Sequence, residues 1–298
     1  MRLIRWLRGS DPATEPSGIV ADMPQAYADA EKASEHGQDR SREFVQISLA
    51  LLVAAAVFGA IDKPWAGLGA ALAFVGSLWL TKLSKGLLDA WYDGRAVAET
   101  IKSLTFKYAV GGDPFALTRP DAPDRYRAAL TEFAQQMHRL GHDLDMADCA
   151  NAVAALERWR ADPWAERREA YRTQRIQDQL TYYSRRGNEH RGSARTYQVI
   201  SVVLQAAGLI GAILKLFDVT HLDLLGLLAA AAASIAAWDA FGDYTKTARA
   251  YEFAVAELNA IDERLGSVDE AGWPVFVADA EQAMSREHTA WIARRRAQ

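Results

Sequence analysis

The sequence predicts an all-α, polytopic membrane protein with four transmembrane helices in two hairpins, extended by long cytoplasmic helices. Three observations predict it. The windows 44–61, 64–81, 196–214 and 224–238 contain no Asp, Glu, Lys or Arg, so 34 basic and 38 acidic side chains crowd into the remaining 228 of 298 residues. The windows are joined in pairs by short links, Asp62-Lys63 and the stretch from Lys215 to Asp223, and links so short make each pair antiparallel. No segment combines the alternating pattern and turn chemistry of a strand.

The elements follow in chain order. In residues 1–8, MRLIRWLR, Leu3, Ile4 and Leu7 share one helical face while Arg2, Arg5 and Arg8 lie elsewhere. That pattern suits a short interfacial anchor or a basic tail, and it lacks the apolar stretch of about 7–15 residues that a secretory signal needs. Pro12, Pro16, Gly18 and Pro24 mark residues 9–24 as a linker. A bilayer core of about 30 Å takes roughly 20 apolar residues. The segments 44–61, 64–81 and 196–214 suffice unaided, and the fourth span reaches 219–238 when extended back to Val219, with His221 and Asp223 near a membrane face. Leu49 to Ile61 and Trp65 to Leu80 are apolar all round, whereas helices of a soluble bundle keep a polar face.

After the second span only Gly86 and Gly94 interrupt good helix formers before Pro114. One helix is therefore expected from about Pro64 to Val110, roughly 70 Å at 1.5 Å per residue. Tyr126, Leu130, Phe133, Met137 and Leu140 form the apolar stripe of a soluble helix that follows Pro120 and Pro123. The fourth span is expected to run on in the same way, because Tyr244, Ala248, Tyr251, Val255 and Leu258 step by fours and threes toward Leu265, a coiled-coil-like seam.

The two halves look like copies. A shift of 152 positions aligns Ser41 with Ser193, Gln46 with Gln198, and Gly59-Ala60-Ile61 with Gly211-Ala212-Ile213. The expected organisation is an N-terminal segment 1–24, a first unit 25–165 and a second unit 166–298. Orientation follows from basic flanks. Thirteen Lys and Arg flank the hairpin bases, from Lys32, Arg40 and Arg42 to Lys246 and Arg249, against Lys63 and Lys215 alone in the tips. The tips are expected outside the cell (inner) membrane, with both termini cytoplasmic.

Composition excludes other classes. A single cysteine, Cys149, rules out a disulfide scaffold, and a net charge of −4 argues against a nucleic-acid binder. No phosphate-cradling, dinucleotide-binding, zinc-protease or nucleophile-elbow motif occurs, so neither an enzyme nor a cofactor is expected. His138, His142, Asp143, Asp145 and Cys149 cluster in sequence, but they surround a helix end where His and Asp serve as caps and loop residues. No metal is expected there.

The informative residues are polar groups in apolar windows. Gln46, Gln198, Gln205, Ser77 and Ser234 need a partner helix or water once in lipid, which makes them candidates for pore lining or for interhelical hydrogen bonds. Ala55 with Gly59, Ala207 with Gly211, and Gly226 with Ala230 have the small-xxx-small spacing that lets helices approach closely, within a hairpin or between protomers. Arg95, Glu99 and Lys102 lie within two turns of one helix, as an ion-pair array or a gate near the membrane. The ten arginines from Arg158 to Arg195 read as a solvated helix face, or as a contact for anionic groups.

Trp91, Arg95, Ala98-Glu99 and Lys102, followed by Gly111-Gly112-Asp113-Pro114-Phe115, resemble the signature that follows the transmembrane hairpin in SLATT-domain proteins. The second half adds Tyr171, Arg175-Ile176, Gln179, Tyr182-Tyr183, Glu281, Glu287 and Trp291, also similar to that family, so the resemblance covers about residues 25–298 as two tandem units. It implies a paired-transmembrane-helix effector of a prokaryotic conflict or antiphage system, of a kind encoded beside nucleotide second-messenger synthases or sensors and proposed to form pores. The 298 residues hold no fused sensor or synthase, so the trigger is expected from a separate sensor or nucleotide-signalling partner, or from the cytoplasmic helices themselves. The expected function is thus a homo-oligomeric effector that opens a pore or disrupts the lipid bilayer. The alternative is a membrane-anchored helical scaffold that recruits a signalling partner.

Overall fold

A computed structural model describes residues 17–139, 149–217, 219 and 223–296. Residues 1–8, the linker up to Pro16, Leu140, His142, Asp143, Asp145, His221 and Leu222, and the side chains of Met137, Cys149, Glu287 and Trp291 lie outside the described residues, so the readings placed on them are not taken further.

A short 3-10 turn, Gly18–Asp22, precedes nine helices among the described residues: α1 Gln25–Gly59, α2 Pro64–Val110, α3 Ala122–Arg139, α4 Cys149–Ala161, α5 Trp164–Tyr171, α6 Asp178–Leu216, α7 Leu224–Gly242, α8 Tyr244–Leu265 and α9 Trp273–Arg296. No strand occurs among them. The long helix expected from Pro64 to Val110 is α2, all 47 residues of it. Between α5 and α6 the chain forms a π-turn, Arg172–Gln177, so that helix continues from Trp164 to Leu216 with one widened stretch. Periodicity alone does not reveal such a turn, because it adds a residue to the helix without interrupting it.

The fourth span runs on to Leu265 as expected, 42 residues from Leu224, with one irregular residue on the way. Asp243, at φ 45 and ψ 42, takes the left-handed conformation between α7 and α8. Gly242 precedes it, and Tyr244 restarts the helix with the Thr247 N–H bonded to the Asp243 carbonyl at 2.9 Å. A short polar side chain and an adjacent glycine tolerate this conformation better than bulky residues do.

The chain divides into two compact units that cut across its sequence halves. The core unit takes the described parts of Met1–His36, Ala90–Tyr183 and Phe253–Gln298, and the span unit comprises Gly37–Asp89 and Ser184–Glu252.

In the core unit a single apolar cluster gathers Ile101, Phe106, Tyr108 and Val110 of α2, Tyr126 and Leu130 of α3, Leu156 of α4, Leu258, Ile261 and Leu265 of α8, and Trp273 and Val277 of α9. Of the stripes read from α3 and α8, Tyr126, Leu130, Leu258 and Leu265 are buried in this cluster and Phe133 packs against it. The end of α2 shows why Gly111-Gly112 stands where it does. Gly111 has φ +77, its N–H bonds the Tyr108 carbonyl at 3.2 Å, and the Gly112 N–H reaches back to the Lys107 carbonyl at 2.7 Å. These two bonds close a Schellman cap, which needs a left-handed residue at its first position. Val277 occupies the space that a Cβ on Gly112 would fill.

In the span unit each hairpin is held by its own contacts. Ser48 of α1 bonds Ser77 Oγ at 2.9 Å, the Ser77 carbonyl at 3.1 Å and Thr81 Oγ1 at 2.9 Å, a polar clasp between the first two spans. In the second hairpin Leu225 and Leu228 of α7 lie 3.5 Å from the Cβ position of Gly208 on α6. Of the apolar windows in the four span-bearing helices, only 6, 11, 11 and 17% is buried. Large side chains such as Trp65, Leu72 and Trp79 stand 61, 65 and 70% exposed. An aqueous protein does not expose so much contiguous apolar surface. The four helices are transmembrane, in two hairpins.

Candidate functional site

The sequence singled out Arg95, Glu99 and Lys102 on α2, and the core unit joins them to residues far along the chain. Arg95 pairs with Glu99 at 3.1 Å, one turn along. Beside them the π-turn presents Arg175, whose Nε and Nη2 donate to both carboxylate oxygens of Glu281 on α9 at 3.0 and 2.9 Å. The Tyr171 hydroxyl donates to the same carboxylate at 3.0 Å. Arg175 Nη1 lies 3.8 Å from Glu99 Oε2, which links the two pairs, and its guanidinium stacks over the Phe106 ring.

This is a buried ion-pair network: Arg175 and Glu281 are 3% and 1% exposed. Burial opposes the charge on Arg175, but the Glu281 carboxylate with its hydrogen bonds and the nearby Glu99 outweigh it and hold the guanidinium above its ordinary pKa. Lys102 is the exception in the group. Burial pushes its ammonium below the usual lysine range, Glu99 opposes that shift and Arg175 adds to it. Burial also raises the Tyr171 and Tyr183 phenols, and the negative charges of Glu281 and Glu99 respectively push the same way.

Three further side chains of the π-turn are held by hydrogen bonds. Arg172 makes a bidentate pair with Asp262 of α8 at 2.8 and 3.1 Å, Thr173 returns to the Glu169 carbonyl, and Gln174 Oε1 accepts the Ile19 N–H at 2.8 Å. Polar anchors converge here from the 3-10 turn, α2, α8 and α9.

The arginine-rich stretch is only in part the expected solvated face: Arg158, Arg185, Arg191 and Arg195 are exposed, and Arg168, Arg172 and Arg186 are half-buried. Arg160, Arg167 and Arg175 are buried. Arg160 donates to the Tyr108 carbonyl and, at 3.0 Å, to that of Phe115, while Arg167 donates to the Val110 carbonyl at 2.8 Å. Trp273 Nε1 donates to the same Val110 oxygen at 2.8 Å, and Arg168 caps Leu265 at the end of α8 at 2.8 Å. The last carbonyls of a helix have no intrahelical partner and carry partial negative charge, so cationic donors suit them. Composition does not reveal this role because the α2 terminus lies some fifty residues away in sequence.

The polar span residues have different surroundings. Ser77 is committed to the clasp with Ser48 and Thr81, and Ser234 donates to the Ala230 carbonyl of its own helix at 2.9 Å. Gln46 is half-buried on α1, and Gln198 and Gln205 are exposed on α6. Gln205 gives one amide hydrogen bond to Ser201 Oγ, one turn back, at 3.0 Å.

Among the small residues, Gly211 faces Leu224 across the second hairpin, where a Cβ would stand 2.6 Å from that of Leu224. Gly59, at the end of α1, has nothing within 4 Å of its Cβ position, and Gly226 sits over the Asp223 carboxylate that caps α7. Ala55, Ala207 and Ala230 are half-buried. No group of three or more His, Cys, Asp or Glu suited to a metal occurs among the described residues.

Fold and contacts define a class: a multi-pass, all-α membrane protein of two transmembrane hairpins, with a packed helical unit around a buried ion-pair network. Family models make the class particular. The SMODS and SLOG-associating 2TM effector domain 3 matches residues 24–168, and domain 1 of the same series matches residues 171–291. Together they leave only 1–23, 169–170 and 292–298 unmatched, and the chain belongs to the SLATT family as a tandem of two such domains. The halves match two different members of the series. No curated protein and no solved structure matches the chain.

Proposed function

We propose that this chain is a membrane effector of a prokaryotic conflict or antiphage system, which assembles with copies of itself and opens a pore or disrupts the bilayer when triggered. One observation carries the reading: each hairpin falls within a match to a 2TM effector domain, and both leave most of their apolar surface uncovered. A trigger of the SMODS or SLOG kind named in those domains would act on the core unit. There the buried ion-pair network supplies contacts that can hold one of two packings, and a ligand or partner shifts such an equilibrium by binding one of them better. Basic flanks favour both termini on the cytoplasmic side of the cell membrane. The role is non-enzymatic, with no cofactor, metal or nucleic acid.

A second reading, a membrane-anchored scaffold for a cytoplasmic partner, draws on the size of the core unit. Dye-loaded vesicles carrying the chain and its signalling partner separate the two. Release of dye supports the effector. Vesicles that stay sealed with the partner present, at full insertion, favour the scaffold.

A further inference from the structure

The outer face of α6 carries an unoccupied heptad seam. Gln198, Val202, Gln205, Leu209 and Leu216 follow one another by four, three, four and seven residues, the spacing of positions that meet across a coiled coil. The hairpin partner does not cover this line. Val202, Leu209 and Leu216 are 59, 61 and 78% exposed, and both glutamines are exposed as well. The α6 side that meets α7 is a different one, marked by Gly208 and Gly211.

Lipid suits the apolar members of this seam and does not suit the glutamines. A carboxamide has two N–H donors and a carbonyl acceptor, and Gln205 satisfies one donor on Ser201. The remaining donor and the acceptor face the bilayer, where no water compensates them. The group is self-complementary: the acceptor of one copy takes the donor of another. Copies inserted with the same topology have parallel α6 helices at equal depth, so the seam meets itself in register, Gln205 against Gln205 and Gln198 against Gln198. Polar residues at single core positions of coiled coils fix register in the same manner.

We propose that α6 is the homotypic assembly surface of this protein, a second copy docking along Gln198, Val202, Gln205 and Leu209 with the paired Gln205 amides setting the register. The proposal rests on the reading that the chain assembles in the membrane, and it names the surface. One helix face is enough for such a contact, because parallel span helices associate through close packing and interhelical hydrogen bonds without a hydrophobic drive.

The test uses the full chain in vesicles with Cys149→Ser removing the only cysteine. Single cysteines then replace Gln198, Val202 or Leu209 on the seam, and Val203 or Ile210 on the other side of α6. Val203 and Ile210 are each 59% exposed, matching Val202 at 59% and Leu209 at 61%, so lipid exposure alone predicts equal reaction at all four. A short bis-maleimide is expected to give dimer from the seam positions and little from Val203→Cys or Ile210→Cys. Adding Gln205→Leu to Val202→Cys is expected to lower the dimer fraction by about three- to thirty-fold, the range of one interhelical hydrogen bond. Equal yields on both sides of the helix, no dimer at the seam, or a yield indifferent to Gln205→Leu each overturns the proposal. Dye release is read from the same vesicles. Release without seam cross-links overturns the seam and leaves the pore reading standing, whereas seam cross-links in vesicles that stay sealed with the signalling partner supplied uphold the seam and overturn the pore.

Discussion

Replacing Glu281 by Gln keeps the shape of the side chain and removes the charge that neutralises Arg175. In the parent, Arg175 gives Glu281 two hydrogen bonds at 3.0 and 2.9 Å, and Tyr171 gives it a third at 3.0 Å. The amide oxygen of Gln accepts only part of that set, and its NH₂ faces donors. The nearest remaining carboxylate is Glu99, 3.8 Å from Arg175 Nη1. Removing one partner of a buried pair costs about 3–5 kcal/mol, because it strands the other charge, and Glu99 places this site at the lower end. At roughly 2–4 °C per kcal/mol for a unit of this size, the core unit is expected to melt on the order of 6–12 °C lower. The assay is thermal unfolding in mild detergent, followed by near-ultraviolet circular dichroism, since Trp273 and Tyr171 pack edge to face at 5.7 Å inside the core. The double variant Arg175→Met with Glu281→Leu is expected to regain most of the loss, because exchanging a whole buried pair for apolar groups is often neutral or better. A melting shift of 1–2 °C for Glu281→Gln, or a double variant worse than both single ones, would refute the assignment of the pair as a coupled buried unit.

The two hairpin glycines should separate. Gly211→Leu forces Leu224 aside and is expected to cost about 1–3 kcal/mol of hairpin packing, seen as faster proteolysis of the second hairpin in detergent, while Gly59→Leu meets open space and leaves proteolysis unchanged. Lys102 carries a pH signature. Its folded pKa lies below the unfolded value of about 10.4, so between the two the unfolded chain holds a proton that the folded chain has lost, and stability rises with pH across that window. Lys102→Met is expected to raise stability at neutral pH and flatten that alkaline rise, as read from denaturation midpoints between pH 7 and 10, with Lys107, whose pKa is also lowered mainly by burial, supplying what slope remains.

The sequence by itself determined the spans, the hairpin pairing and the length of α2. These follow from local physics: lipid tolerates no charge along about twenty residues, and a two-residue link admits only antiparallel neighbours. Tyr126 and Leu130 of α3 and Leu258 and Leu265 of α8 were legible as core residues for the same reason, since helical period 3.6 is written in nearest-neighbour order. Arg95 and Glu99 were visible as a pair one turn apart. Their junction with Arg175 and Glu281 was not, because those residues stand about 80 and 180 positions further on and meet only when α2, the π-turn and α9 pack together. Tertiary structure alone decided which arginines are caps, since the α2 carbonyls that Arg160 and Arg167 satisfy are unpaired only where that helix stops. It also decided that Gly211 packs within its own hairpin and that Gln205 faces outward, because a small or polar residue in an apolar window fits either environment until the neighbouring helix is in place.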